Sequence, residues 1–147
     1  MTNRIILLVE DNPDDEELIL RSFRRSHVLN EVIVARDGEE ALDYLLGMGK
    51  FSGRDLNLMP QVVLLDLKLP KVGGLEVLER MRREPHTAMI PVVILTSSSE
   101  EEDILASYKL GANSYVRKPV EFQHFAEAVQ QVGLYWMLVN SSPPAPN

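Results

Sequence analysis

Three acidic residues, a threonine and a lysine stand where short apolar runs end. Ile5 to Val9 (IILLV) runs into Glu10-Asp11, Val62 to Asp66 (VVLLD) closes on a carboxylate, and Pro91 to Leu95 (PVVIL) runs into Thr96-Ser97. Ser114 to Val116 leads to Lys118-Pro119. A charge at the end of a buried run is costly unless it is paired. Either Asp66 sits at a wet strand end or the site exists to use it. If the four segments meet, three carboxylates repel one another without a cation, and an all-oxygen set suits a hard divalent ion such as Mg2+. A lysine and a threonine beside such an ion could hold a phosphoryl group, one by charge and one through a hydroxyl donor. A carboxylate can itself attack phosphorus to give an aspartyl-phosphate, and catalysis of that transfer is mostly positioning and charge neutralisation. Nothing in the set resembles a Cys or Ser nucleophile with a His base, because His27, His86 and His124 fall on predicted surface segments.

The elements that must position these residues alternate between two periodicities. Ile5 to Val9 is strand-like, and Asn12-Pro13 with Asp14, Asp15, Glu16 and Glu17 reads as a capped helix start whose inward stripe is Leu18, Ile19 and Phe23. Glu31 to Ala35 (EVIVA) is a second strand, and Asp37 with Glu40 forms a capping box for a helix with Ala41, Leu42, Leu45 and Leu46 inward. A loop from Gly47 to Pro60 leads to the third strand. Gly73-Gly74 opens a helix carrying Leu75, Leu78 and Met81 that stops before Pro85. After the fourth strand, Ser98 and Ser99 are expected to cap a helix carrying Ile104, Leu105 and Tyr108, closed by Gly111. A last helix from Glu121 carries Phe122, Phe125, Ala126, Val129 and Val132 to Trp136. The acidic runs Asp14 to Glu17 and Glu100 to Asp103 read as solvated helix starts and not as metal sites. Five βα units with near-continuous apolar strands predict an α/β fold, a doubly wound parallel sheet covered on both faces. In such sheets ligands bind beyond the carboxyl ends of the strands, where all the residues above would lie.

Composition bounds the reading without deciding it. The 147 residues are 45% apolar and 25% charged, which fits one soluble domain, spanning 1–139 with a disordered tail at 140–147. A net charge of −7 argues against a nucleic-acid partner, and the absence of cysteine excludes disulfides and thiolate metal sites. The apolar run near the N-terminus is too short for a signal peptide or a membrane span, so no membrane association and a cytoplasmic location are expected.

Taken together, Glu10-Asp11, the Asp66, Pro70 and Gly74 pattern, Thr96 and Lys118-Pro119 resemble the receiver domain of two-component response regulators, over about Arg4 to Trp136. The resemblance implies a flavodoxin-like, receiver-like five-stranded sheet of order 2-1-3-4-5. It implies that Asp66 is the phosphoacceptor for a phosphohistidine on a sensor histidine kinase. Asp11, Asp66 and the backbone carbonyl of Lys68 would ligate Mg2+ (or Mn2+), with Glu10 acting mainly through water. Lys118 would contact the phosphoryl oxygens, positioned by a cis peptide bond before Pro119. Thr96 would hydrogen-bond the phosphoryl group while Tyr115 rotates inward, switching a surface made of the fourth helix, fifth strand and fifth helix. Such a protein catalyses its own phosphorylation and slow dephosphorylation and is not a conventional enzyme. Two departures stand out: Glu10 replaces the commoner Asp, and Lys68 puts an extra cation beside the site.

A narrower likeness rests on NPDDEELILRSF, the long loop before the third strand, SYKLGANSYVRKPV and the aromatic final helix. These look like the stand-alone regulators partnered with bacterial phytochrome kinases. Only eleven residues follow Trp136, too few for a DNA-binding output domain, so signalling by binding or by phosphorelay is expected. Trp136, Met137 and Leu138 extend past what the last helix needs to cover the sheet, and a homodimer contact at Trp136 and Leu138 is expected in preference to a cap on the chain's own core. The alternatives fit less well. A haloacid-dehalogenase-type phosphatase needs a second Asp where Lys68 stands. A pseudo-receiver acting as a binding module would lack an acid or the Lys. In a flavodoxin-like carrier, EDNPDDEE would repel phosphate.

Overall fold

The structure, a computed structural model, describes residues 5–25, 28, 30–118 and 122–144, with Phe122, Phe125 and Leu138 described by their backbone alone. Five strands, β1 (Ile5–Val9), β2 (Glu31–Ala35), β3 (Val62–Leu65), β4 (Val92–Thr96) and β5 (Ser114–Arg117), alternate with five helices. These are α1 (Pro13–Arg25), α2 (Gly38–Leu46), α3 (Gly74–Arg83), α4 (Glu101–Lys109) and α5 (Phe122–Leu134). The sheet is parallel throughout, in the order β2-β1-β3-β4-β5.

Both faces of the sheet are covered, which is why its central strands read as unbroken apolar runs. Leu7, Val9, Val63, Leu65, Val92 and Ile94 face α2 and α3, meeting Leu42, Leu45, Val77 and Leu78. Their neighbours Ile6, Leu8, Val62, Leu64, Val93 and Leu95 face the other way, onto Ile19, Phe23 and Val129 of α1 and α5. The first two helices start where their sequences predict. Asn12 Oδ1 accepts the N–H groups of Asp14 and Asp15 at 2.9 and 3.1 Å, with Pro13 in the first helical position. Asp37 Oδ1 accepts Glu40 N–H at 2.7 Å, but the Glu40 carboxylate reaches back one residue further than a capping box requires, to Arg36 N–H.

Three expectations need correction. The fourth helix begins at Glu101, and neither serine caps it as expected: the N-cap is Glu100, whose side chain makes no capping bond. Ser98 Oγ instead accepts Glu100 N–H at 3.3 Å and donates to Asp103 Oδ2 at 2.6 Å. That phase brings Ser107 into the interior, one turn after Asp103, while Leu105 and Tyr108 are exposed at 56% and 49%. Trp136, expected at a dimer contact, is buried against the chain's own core beside Met137, in a π-helical turn (Tyr135–Val139) that continues α5. Its carbonyl accepts the Gln61 side-chain amide at 2.9 Å, at the amino end of β3 and away from Asp66. The Leu138 side chain and the peptide bond before Pro119 lie outside the described residues, as does Glu121. No helix among the described residues is long and apolar enough to cross a membrane.

Candidate functional site

The strand order makes β1, β3, β4 and β5 successive neighbours, so their carboxyl ends form one rim. The backbone ladder carries on just beyond the strands and fixes the residues there. Asp66 N–H donates to Val9 O at 3.1 Å, Glu10 N–H to Ala35 O at 3.0 Å, and Lys118 N–H to Thr96 O at 2.6 Å. Behind Asp66 the chain must turn within a narrow space. A Cβ on Gly74 would lie 2.2 Å from the Asp66 carbonyl oxygen and 2.7 Å from Leu67 Cα, so only glycine lets α3 start this close to the end of β3.

Glu10, Asp11 and Asp66 come together as expected, each offering a carboxylate oxygen within 4.8 Å of the others. Glu10 is 1% exposed, Asp66 is 8% exposed, and Asp11 faces solvent. The donor set fits a hard divalent cation: all oxygen, anionic, clustered at the surface end of a buried strand and open on the Asp11 side. Electrostatics agree with that need. Burial pushes the Glu10 carboxyl up to about 7; the Lys118 hydrogen bond pulls against this, and the Asp66 charge adds to it.

Lys118 joins the cluster from β5. Its Nζ lies 2.7 Å from Glu10 Oε1, 2.9 Å from Asp15 Oδ2 and 3.1 Å from Asp66 Oδ2, with only 9% of the side chain exposed. Burial alone would lower its pKa, but the bonds to Glu10 and Asp15 and the charge of Asp66 hold it well above the ordinary lysine value. It is therefore a fixed cation beside the Asp66 carboxylate. Thr96 is fully buried at the end of β4, and its Oγ1 accepts Ser98 N–H at 3.4 Å. The Tyr115 hydroxyl donates to the carbonyl of the same Ser98 at 3.0 Å, and its half-buried ring packs on the α2–α3 side of the core. Burial raises the Tyr115 pKa, with the charges of Asp103, Asp66 and Glu100 adding to the shift against the Ser98 hydrogen bond. Lys68 N–H leans toward Asp66 Oδ1 at 3.4 Å, while its side chain points to solvent.

Two residues of this arrangement are absent from the sequence-based set. Asp15, which the sequence presents with its neighbours as a solvated helix start, is a partner of Lys118. Its signal was available: it stands in the first turn of a helix capped by Asn12, and helical side chains lean toward the N-terminus, here toward the β1 end. Ser98 is the second, joining Thr96, Tyr115 and Asp103 through one residue, and no spacing in the sequence announces it. Trp136 takes no part in the site.

Comparison with known proteins identifies the family. The response regulator receiver domain family matches residues 6–130. The probable methanogenesis regulatory protein FilR2 of Methanothrix harundinacea is 43% identical over 139 residues, covering 95% of this chain and 87% of the relative. Response regulator Rcp1 of Synechocystis is 36% identical over 142 residues, 97% of this chain and 95% of Rcp1. The structure of Mn2+-bound Rcp1 matches with a TM-score of 0.89 at 35% identity, over 96% of this chain and 99% of that one. The bacteriophytochrome response regulator AtBRR matches with a TM-score of 0.75 at 54% identity, over 96% of this chain and 100% of that one.

Proposed function

This chain belongs to the response regulator receiver domain family, and from that premise we propose that Asp66 accepts a phosphoryl group from a phosphohistidine on a sensor histidine kinase. The observation that carries the reading is Lys118 Nζ at 3.1 Å from Asp66 Oδ2, beside a triangle of carboxylate oxygens from Glu10, Asp11 and Asp66. In the transfer an Asp66 oxygen forms a bond to phosphorus as the bond from phosphorus to the histidine nitrogen breaks. The leaving imidazole keeps the electron pair of that bond. Lys118 and the Thr96 hydroxyl would meet the phosphoryl oxygens. Asp11, Asp66 and the Lys68 carbonyl would hold Mg2+ or Mn2+, with Glu10 reaching it through water. That ion would neutralise charge on the acids and on the phosphoryl oxygens. The Mn2+ of Rcp1 supports this assignment.

The 54% identity to AtBRR supports a bacterial phytochrome as the partner kinase, and hence a light-driven input. The output surface is α4, β5 and α5, reached from Thr96 and Tyr115 through their shared partner Ser98. A homodimer through that surface would use the exposed Leu105, Tyr108 and Tyr135, in place of the buried Trp136.

Incubation with a small acyl-phosphate and Mg2+, followed by intact-mass measurement, tests the phosphoacceptor. Wild type gains one phosphoryl group and Asp66→Asn gains none. An equal gain in the variant, or none in the wild type, ends the assignment. Phosphotransfer from a bacterial phytochrome kinase and from an unrelated histidine kinase, compared at short times, tests the partner. Equal rates would remove the phytochrome assignment.

A further inference from the structure

The Lys118 ammonium has three N–H donors, and three carboxylates approach it within 3.1 Å. These three are not equivalent. Glu10 and Asp66 belong to the cluster whose oxygens could hold a divalent cation, whereas Asp15 stands outside that cluster. Asp15 comes from the first turn of α1 and not from a strand end. Its backbone N–H is capped by Asn12 Oδ1 at 3.1 Å, and its side chain is 27% exposed.

A bound cation and Lys118 draw on the same two anions. As the ion draws on Asp66 directly and on Glu10 through water, the ammonium loses charge compensation at two of these three carboxylates. Inside a largely buried site an uncompensated ammonium is expensive. Of these three carboxylates, Asp15 is the one outside the acid triangle.

We propose that Asp15 is a positioning residue for Lys118: it holds the ammonium on the site while the cation engages Asp66 directly and Glu10 through water. Without it, Lys118 pairs harder with those two acids and competes with the ion for them. This inference deepens the phosphoacceptor reading and rests on it, because it requires the acid triangle to bind a divalent ion.

The test is Mn2+ affinity, measured by titration calorimetry or by electron paramagnetic resonance of the free ion. Asp14→Asn is the control, since Asp14 carries the same charge one residue away on the exposed side of the same turn. Asp15→Asn is expected to raise the Mn2+ Kd about fivefold, within the range of coupled neighbouring groups, and Asp14→Asn less than about twofold. In a Lys118→Met background the Asp15→Asn effect should shrink to that of Asp14→Asn. Because the loss of Lys118 could unfold the chain, the Lys118 Nζ–H signal of the Mg2+-saturated protein gives a second readout by nitrogen-15 NMR. It should be sharp in the wild type and lost to solvent exchange in Asp15→Asn. Equal shifts for Asp15→Asn and Asp14→Asn, an Asp15→Asn effect undiminished without Lys118, or an unchanged Nζ–H signal would each overturn the proposal while leaving the phosphoacceptor intact. A wild type that binds no Mn2+ would overturn both.

Discussion

Gly74→Ala gives a prediction whose sign alone is decisive. Gly74 is the first residue of α3, and alanine at a helical position is intrinsically favoured over glycine by up to about 1 kcal/mol. Were the space open, the substitution would therefore stabilise the protein. The structure says that it is not open. The new methyl carbon would sit 2.2 Å from the Asp66 carbonyl oxygen, 2.7 Å from Leu67 Cα and 3.0 Å from the Asp66 carbonyl carbon. All three are backbone atoms at the end of a buried strand, so no side chain can swing aside. The β3–α3 connection must retreat by roughly 1 Å to restore ordinary contact. Overpacking costs typically about 1–3 kcal/mol, and the immobility of this obstacle places it near the upper end. Against the propensity gain, the net loss is about 2 kcal/mol, which in a chain of this size lowers the Tm by about 4–8 °C. Thermal unfolding followed by far-UV circular dichroism reads it directly. Because the displaced carbonyl is Asp66's own, Mn2+ affinity should fall in the same variant. A Tm equal to or above that of wild type would refute the close-approach argument.

Arg82 offers a larger structural effect away from the site. Its guanidinium donates to the carbonyls of Ala88, Ile90 and Gly111 at 2.8–3.1 Å and to Asn113 Oδ1 at 3.1 Å, joining the α3–β4 and α4–β5 connections. Arg82→Met should cost about 3 kcal/mol in urea unfolding, and Arg82→Lys should recover little of it, since an ammonium cannot span that fan of acceptors. Leu105→Ser should change stability by less than about 0.5 kcal/mol despite its apolar type, while Leu78→Ala, fully buried, should cost about 2–5 kcal/mol. For Glu40, partial burial pushes the carboxyl up, but the Lys50 and Arg36 N–H hydrogen bonds outweigh it and hold the folded pKa below the usual value. A depressed carboxylate stabilises the fold above its unfolded pKa, and that contribution is lost as pH falls through the folded value. The Tm gap between wild type and Glu40→Gln should therefore be open at pH 7 and close as pH falls through the depressed Glu40 value.

What was legible in the sequence follows from what local pattern can encode. The apolar runs of β1, β3 and β4 and the caps at Asn12 and Asp37 are local signals, and they place those elements to within a residue. The fourth helix failed because its phase was read from its apolar residues, while its start is set by a loop hydrogen bond. Ser98 is engaged with Asp103, so α4 turns Asp103 and Ser107 inward and leaves Leu105 and Tyr108 outside. Trp136 failed for a related reason. Periodicity tells that a residue lies beyond the length needed to cover the sheet. It does not tell that the helix changes its winding at Tyr135 and tucks the indole back onto the core.

The rim itself was legible because four of its residues end apolar runs, yet its energetics were not. A carboxylate closing a buried strand looks like a liability when read alone. In the folded chain Asp66 is one of three acids sharing a single buried ammonium, and one of those acids comes from a helix and not from a strand. That difference in origin matters physically. Glu10 and Asp66 are held by the β-ladder and stay where a cation would meet them, whereas Asp15 is held by the Asn12 cap. The stretch Glu10 to Asp15 thus supplies Lys118 with two anchors of different kinds, one from the strand end and one from the first helical turn, within six residues. An acidic helix start with only a dipole to satisfy would tolerate asparagine at position 14 or at position 15 alike. A site that must keep Lys118 in place while its other acids are engaged tolerates it only at 14.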